Sequence, residues 1–305
     1  MLCSTTPPVA AYVFFGTFLS IGDSGENVSG SSLSVSIVTY APDMDVLGQT
    51  LRALRAAIEK AHLTGSLVSA SVYVVDNGPD SLYQDMFTAL IVSELASTVI
   101  PVRHVLSEHR NNGYGQGNNI AIQEAVSDYH LVLNPDVLLE PDAVAKALDF
   151  MEQRPDVGLM SPAAFYPDGK RQYLCKRYPT LLDLALRGFG PRWLQWIFRH
   201  RLDRYEMRDV IADEVAMDLP IVSGCFMLFR RSALNAVGGF SNRFFMYFED
   251  FDISLRVSHV ARVAYAPAVR IVHLGGGTRH KGLKHGTMFL RSAWAFFSIH
   301  GWRIL

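Results

Sequence analysis

The hydrophobic and polar positions of this chain change period several times between residues 33 and 153. Leu33–Tyr40 (LSVSIVTY) alternates apolar and small polar residues, which predicts a strand. Leu47, Leu51, Leu54 and Ile58 then recur at helical spacing, predicting a helix over Val46–His62 with Asp43 or Asp45 as N-cap. Ser69–Val75 reads as a second strand running into the turn signal Asp76-Asn77-Gly78-Pro79. A helix over Leu82–Leu95, a strand around Val99–Val105, a Gly/Asn loop over Asn111–Asn119 and a helix over Ile120–Val126 follow. The apolar run through Leu131–Leu133 predicts a buried strand. It stops at Asn134-Pro135-Asp136, because proline cannot donate to a sheet ladder.

Strands alternating with helices imply right-handed βαβ units and a parallel sheet over the first half. After a helix over Asp142–Gln153 the pattern changes. Short strands at Val157–Met160, Val222–Arg230, Val263–Ala266 and Val269–His273 surround a long insertion, Lys170–Asp209.

Composition narrows the class. The 305 residues are 49% hydrophobic and 19% charged, which suits a folded chain with a core. The net charge of −1 offers no basis for a nucleic-acid partner. Three cysteines, Cys3, Cys175 and Cys225, are widely spaced without a CxxC, which argues for a reducing compartment and against a zinc knuckle. No apolar run reaches the roughly 18 residues that a membrane span needs. Val9–Ile21 is apolar but short and lacks the preceding basic residues of a signal peptide, and Gly22–Ser32 reads as a flexible linker.

Three loops follow three strands of the first half: Thr39-Tyr40, Asp76-Asn77-Gly78 and Asn134-Pro135-Asp136. In a parallel sheet all three converge on the carboxyl edge, where a nucleotide binds. Asp136 is a hard-oxygen ligand suited to Mg2+ or Mn2+ carrying a diphosphate; the alternative is an Asx-type turn. Asp76 suits ribose hydroxyls or a base N–H, with an ordinary Asx-turn as its alternative. The loop Asn111–Asn119 crowds Gly113, Gly115 and Gly117 together without the spacing of a dinucleotide fingerprint. Amide side chains near a nucleotide, with a helix N-terminus near phosphate, fit it better.

Phe244–Arg256 (FFMYFEDFDISLR) sets Glu249, Asp250 and Asp252 among aromatic residues. Partly desolvated carboxylates suit a general base near neutral pH. The alternative is a first helical turn, with Arg256 pairing to Asp252. His273 ends an apolar strand before Gly275-Gly276-Gly277 and either completes a metal shell with Asp136 or is structural. The insertion interleaves Arg171, Lys176, Arg187 and Arg208 with Tyr173, Tyr178, Trp193 and Trp196. Such a surface suits anionic membrane headgroups or a phosphorylated lipid-linked acceptor, or is a solvated basic face over core aromatics. The tail Met288–Leu305 reads as an apolar helix that packs on the domain or lies on a membrane.

In this order and spacing, SIVTY, VVDNGP, NNGYGQGNN, LVLNPDV, SGCFMLFRR (Ser223–Arg231) and FFMYFEDFDISLR with His273 resemble the inverting family 2 glycosyltransferases, in particular their rhamnosyltransferase-like branch. The resemblance runs from about Leu33 to Gly277. It implies an α/β GT-A fold: a Rossmann-like, mostly parallel central sheet with helices on both faces and a smaller acceptor-side sheet. Thr39, Tyr40, Asp76, Asn77, Asn111, Gly113, Asn134 and Gly224 would line the nucleotide-sugar pocket. Asp136 and His273 would hold Mg2+ or Mn2+, and Asp250 would be the base, with Glu249 beside it. Asn134 stands where the family's D-x-D element has its first acidic residue, so one charge is missing.

The implied organisation is an extension and linker over 1–32, a GT-A domain over 33–280 and a C-terminal apolar helix over 281–305. Within the domain, 33–142 would bind nucleotide and 143–280 the acceptor, with the insertion at 170–209. The implied activity is inverting transfer of a sugar, L-rhamnose from dTDP-rhamnose, to a hydroxyl of a lipid-linked or polysaccharide acceptor of the cell surface, such as lipopolysaccharide. The protein would be cytoplasmic, peripheral on the inner membrane. Two other readings share the layout. A sugar-phosphate nucleotidyltransferase needs a glycine-rich basic phosphate loop that SIVTYAPD lacks. A non-catalytic sugar-nucleotide-binding protein does not need the full set Asp136, Asp250 and His273.

Overall fold

The computed structural model describes residues 12–15, 30–78, 83–95, 102–106, 111–275 and 283–305. Its first half builds β1 (Tyr12–Phe15), β2 (Ser31–Thr39), α1 (Met44–Leu63), β3 (Leu67–Asp76), α2 (Gln84–Leu95), β4 (Val102–Leu106), α3 (Tyr114–Glu124), β5 (Tyr129–Leu133), β6 (Val137–Leu139) and α4 (Ala143–Glu152). The second half begins with β7 (Val157–Phe165), β8 (Arg171–Gln172), β9 (Cys175–Lys176), α5 (Leu181–Phe189), α6 (Arg192–Ile197) and α7 (Arg199–Tyr205). It continues with β10 (Ala216–Met217), β11 (Ile221–Val222), β12 (Phe226–Arg230), α8 (Arg231–Val237), α9 (Glu249–Ser258), β13 (Arg262–His273) and α10 (Leu283–His300).

The main sheet runs in the order β1-β4-β3-β2-β5-β12-β7-β13-β10, and β9 pairs with β11 in a small second sheet. Strands β4, β3, β2 and β5 are parallel, as the βαβ alternation predicts. The chain leaves β2 on one side towards β3 and β4, then returns to β5 on the other side. The carboxyl ends of β2 and β5 therefore flank a topological switch point, where ligands bind in open α/β sheets. Strand β12 is antiparallel to both β5 and β7, and β13 is parallel to β7.

One sheet face is covered by α1 and α4, whose Leu47, Leu51, Leu54, Leu148 and Met151 pack with Val35, Ile37, Val72 and Leu133. Asp43 caps α1 by accepting from the N–H groups of Asp45 and Val46, which is worth about 1 kcal/mol at such a position. The other face is covered in part by α8 and α9, with Leu234, Ile253 and Val257 against Val132, Met227 and Phe229. Cys175 and Cys225 are free thiols whose burial pushes them up to about 12, so neither ionises readily.

Several expected elements have different bounds. Helix α3 begins at Tyr114, inside the expected Asn111–Asn119 loop and ahead of the expected start at Ile120. Its small residues serve close packing: an added Cβ at Gly117 would stand 2.7 Å from Val38, and one at Gly115 3.0 Å from Phe240. Val222–Arg230 divides at Ser223–Cys225 into β11 and β12. Val263–Ala266 and Val269–His273 join as β13, with a register shift between Ala266 and Arg270. The strand expected over Val157–Met160 continues to Phe165. Tyr12–Phe15, within the expected extension, pairs antiparallel with β4, and β2 begins at Ser31. Most of residues 1–32, together with Cys3, Pro79 and Gly276-Gly277, lie outside the described residues.

Helix α10 packs on the domain through Ala293, Phe296 and Phe297, which join Ile221, Phe244 and Phe248 in a separate aromatic cluster. Its Trp294 and Ile299 face outward.

Candidate active site

Strand register brings the first two expected loops together, since Thr39 pairs directly with Asp76. Both are buried, whereas Tyr40 is exposed. Asp76 sits in the Asx-turn foreseen as its alternative: Oδ1 accepts from the Gly78 N–H at 2.9 Å. The Tyr83 hydroxyl also donates to its two oxygens at 2.7 and 2.8 Å, and Thr39 Oγ1 lies 3.3 Å from Oδ1. Burial, then the Asp76 carboxylate, holds the Tyr83 hydroxyl far above its ordinary range. Asn77 is buried, donates Nδ2 to the Gly113 carbonyl at 3.0 Å, and leaves Oδ1 without a hydrogen-bond partner among the described residues. A buried acceptor at a sheet's switch point suits a ligand N–H or O–H.

Asn111 is exposed at the same edge and accepts from the Gly113 N–H at 3.0 Å. Gly113 itself has φ +83°, and a Cβ there would stand 2.1 Å from the Phe245 carbonyl oxygen. Backbone strain and this close approach therefore account for glycine at 113. The Tyr114 N–H bonds that same Phe245 oxygen, so the start of α3 is tied to the chain just before Glu249 and Asp250.

Asn134 donates its N–H to the Cys225 carbonyl, holding the turn after β5 against β12. Val137 pairs with His273 in the β6–β13 register, which sets Asp136 beside that histidine. His273 Nε2 lies 3.4 Å from Asp136 Oδ1. Gln172 orients the ring. Its Nε2 donates to the His273 carbonyl at 2.8 Å, so its Oε1, 2.9 Å from Nδ1, accepts the Nδ1 proton. In the neutral ring the Nε2 lone pair then faces the carboxylate, an arrangement that a cation between them relieves. Imidazole and carboxylate are suitable donors for Mn2+, and two protein ligands suffice when substrate phosphates complete the shell. Among the described residues no cluster of three or more His, Cys, Asp or Glu side chains could hold a metal alone.

Glu249 and Asp250 open α9, behind Tyr247 and Phe248 in left-handed conformations with φ +70° and +65°. Such residues cost about 1 kcal/mol or more each and persist where packing enforces them. Here Phe248 is clamped by Phe251, Phe289 and Phe296, each ring centroid 5.2 Å away. Both carboxyls are raised above their ordinary range, Glu249 by burial and then by the Asp250 charge, Asp250 by burial. Their surroundings differ. Asp250 accepts from the N–H groups of Gly224 and Phe251, each at 3.0 Å, whereas Glu249 Oε2 is buried with no hydrogen-bond partner among the described residues. Donors favour the ionised form, so the proton shared by the pair rests on Glu249 and Asp250 carries the charge. Asp252, the third carboxylate of the segment, is buried in an ion pair with Arg256, as its structural alternative foresaw, and lies 2.9 Å from His300 Nε2.

Asp250, Glu249, Ser223 and His273 open on one cavity of about 780 Å3, which continues to Lys176, Arg187 and Arg208 of the insertion. Gly224 meets this group through its N–H on Asp250 and its carbonyl, which accepts from the Tyr114 hydroxyl at 2.7 Å. The structure thus gathers Asp136 with His273, Thr39 with Asp76 and Asn77, and Gly224 with Asp250. Sequence reasoning missed Tyr83 and Gln172, isolated polar residues without a local motif, and gave no role to Tyr114 although it lies within NNGYGQGNN.

Residues 34–238 match the model of the family "Glycosyl transferase family 2". The chain is 28% identical over 258 residues to an N-acetylglucosaminyl-diphospho-decaprenol L-rhamnosyltransferase of Mycobacterium tuberculosis, covering 79% of this chain and 75% of that protein. Among solved structures, it resembles GalNAc-T7 with UDP, GalNAc and Mn2+ (TM-score 0.57, 14% identity, 83% of this chain and 45% of the other). It also resembles the mannosyltransferase PcManGT of Pyrobaculum calidifontis with GDP-Man and Mn2+ (TM-score 0.54, 17% identity, 82% and 58%).

Proposed function

The chain belongs to glycosyl transferase family 2 and has the GT-A fold, and from that premise we propose that it is an inverting, metal-dependent sugar transferase. The observation that carries the reading is Asp250, held by the Gly224 N–H and opening on the same cavity as His273. Asp250 takes the proton from the acceptor hydroxyl as that oxygen attacks the anomeric carbon from the face opposite the leaving diphosphate. Gly224 and Phe251 hold the Asp250 carboxylate by their N–H groups, and protonated Glu249 adds no competing charge. No second ionised carboxylate is needed, so a single displacement inverts the anomeric centre.

Asp136 and His273 would hold Mg2+ or Mn2+, which when bound neutralises charge on the nucleoside diphosphate. Asn134 supplies a backbone N–H to the turn and leaves the carboxylate role to Asp136 alone. Thr39, Tyr40, Asp76, Asn77 and Asn111 would border the nucleotide, with the free Asn77 Oδ1 its acceptor. Gly113 shapes this border through its backbone.

The mycobacterial relative supports L-rhamnose as the sugar transferred and a lipid-linked sugar as acceptor; on this reading the donor is dTDP-rhamnose and the product belongs to a cell-surface polysaccharide. Among the described residues no helix is long and apolar enough to cross a membrane. Outward-facing Trp193 and Trp196 beside Arg192 and Arg199 favour peripheral contact with an anionic membrane, with the protein on its cytoplasmic face. The reading is tested by incubating the protein and Mn2+ with a panel of nucleotide sugars and a lipid-linked N-acetylglucosaminyl diphosphate. Transfer from dTDP-rhamnose with inverted anomeric configuration supports it; retention of configuration contradicts it.

A further inference from the structure

The cavity that holds Asp250 is basic at its far end. Arg187 lies 2.9 Å and Arg208 2.7 Å from the Glu206 carboxylate, with the Lys176 ammonium 3.8 Å away. Among the described residues one other acid pairs with the cluster, the half-exposed Asp203, 3.1 Å from Arg208. Three cations thus converge on a single cavity carboxylate. Lys176 is largely buried on β9, and its ammonium donates to the Tyr173 carbonyl. Burial and then Arg187 depress it to about 8 despite Glu206. Burial opposes ionisation of Glu206 as well, yet Lys176, Arg187 and Arg208 hold it below its ordinary range. Three cations face two carboxylates, Glu206 and Asp203, and an anion entering the cavity would balance the remaining positive charge.

Tyr205 joins this end to the base. It is buried, the Lys176 ammonium stands 6.0 Å from its ring centroid, and its hydroxyl feels both Arg187 and Asp250. Tyr205 lines the same cavity as the basic cluster and the carboxylate that takes the acceptor proton. That shared cavity suits an acceptor sugar with its free hydroxyl at Asp250 and an anionic substituent at the cluster.

We infer that Lys176, Arg187 and Arg208 form a binding site for a phosphate or diphosphate group carried by the acceptor sugar. The inference rests on the proposed transfer reaction and names the residues that receive the acceptor's phosphate. Guanidinium groups suit phosphate because their N–H donors match its oxygens in pairs. Asp136 and His273 serve the donor's diphosphate, which leaves the cluster for the acceptor.

The test compares an alkyl N-acetylglucosaminyl diphosphate with the neutral alkyl glycoside of the same sugar, using wild-type protein, Arg187→Ala and Lys176→Met. Arg187 is half-exposed, so its variant folds even if the Lys176 variant does not. Wild-type protein should show a KM at least about tenfold lower for the diphosphate acceptor, and Arg187→Ala should erase that preference with donor KM unchanged. Equal effects on both acceptors would overturn the site. A rise confined to donor KM would also overturn it and assign the cluster to the donor. A second arm reads binding without transfer: an alkyl diphosphate should raise the Tm of wild-type protein saturated with nucleoside diphosphate, and not that of Arg187→Ala. If wild-type protein transfers to neither acceptor, the proposed function fails. The alkyl diphosphate shift still decides the site.

Discussion

Gly224 donates its backbone N–H to Asp250 Oδ2 at 3.0 Å, across the gap between β11 and β12. That bond gives Asp250 a donor that Glu249 lacks. Two adjacent carboxylates are thereby made unlike, one ionised and one holding a proton.

The asymmetry predicts a pH-dependent stability effect. The Glu249 carboxyl binds its proton more tightly folded than unfolded, so it costs stability as pH rises above its ordinary value of 4.5. The cost grows through neutral pH and becomes constant once the folded group ionises. Glu249→Gln removes it. In urea unfolding, variant and wild type should be equally stable near pH 4, and the variant more stable by about 1–3 kcal/mol near pH 9. A variant that is less stable at pH 9 contradicts the assignment of the proton.

The His273 ring predicts a metal effect. Asp136→Ala should abolish the Mn2+-dependent rise in Tm that a nucleoside diphosphate produces. Gln172→Leu, which leaves both donors intact but releases the Nδ1 contact, should weaken Mn2+ by about 10- to 100-fold. Unchanged Mn2+ titration in the Gln172 variant would contradict the orienting role.

Gly113→Ala should destabilise the fold and Gly65→Ala should do so less. Both glycines have positive φ, +83° and +78°, but only at Gly113 does an added Cβ collide with backbone. Gly65→Ala should cost about 1 kcal/mol and Gly113→Ala more than about 2 kcal/mol, read by urea unfolding. Equal costs would mean that the Phe245 carbonyl shifts freely.

Much of the first half was legible because β2, β3 and β5 are buried runs punctuated by turn residues, and that pattern sets parallel register. Helix α3 was not. Its Gly/Asn-rich start has low helix propensity, and it forms because Asn118 accepts from Ser36 at 2.6 Å and Asn77 holds the Gly113 carbonyl. The acidic segment was legible as a candidate base, but its protonation depends on Gly224, 26 residues away. Tyr114 and Gln172 act through partners 110 and 101 residues away, separations at which no local pattern exists.

Phe296 is fully buried against Phe248 and Phe251. Phe296→Ala should lower stability by about 3–5 kcal/mol and loosen the left-handed turn ahead of Glu249. A loss below about 1 kcal/mol would show that α10 does not enforce that turn.

The central claim is that Asp250 takes the acceptor proton, and Asp250→Asn tests it most directly because the amide keeps the shape and loses the base. Sugar transfer and nucleoside diphosphate binding should be measured on the same preparation. Transfer should fall by at least about a thousandfold while the nucleotide-induced Tm shift stays within error of wild type. Transfer within about tenfold of wild type, with nucleotide binding intact, would contradict the claim.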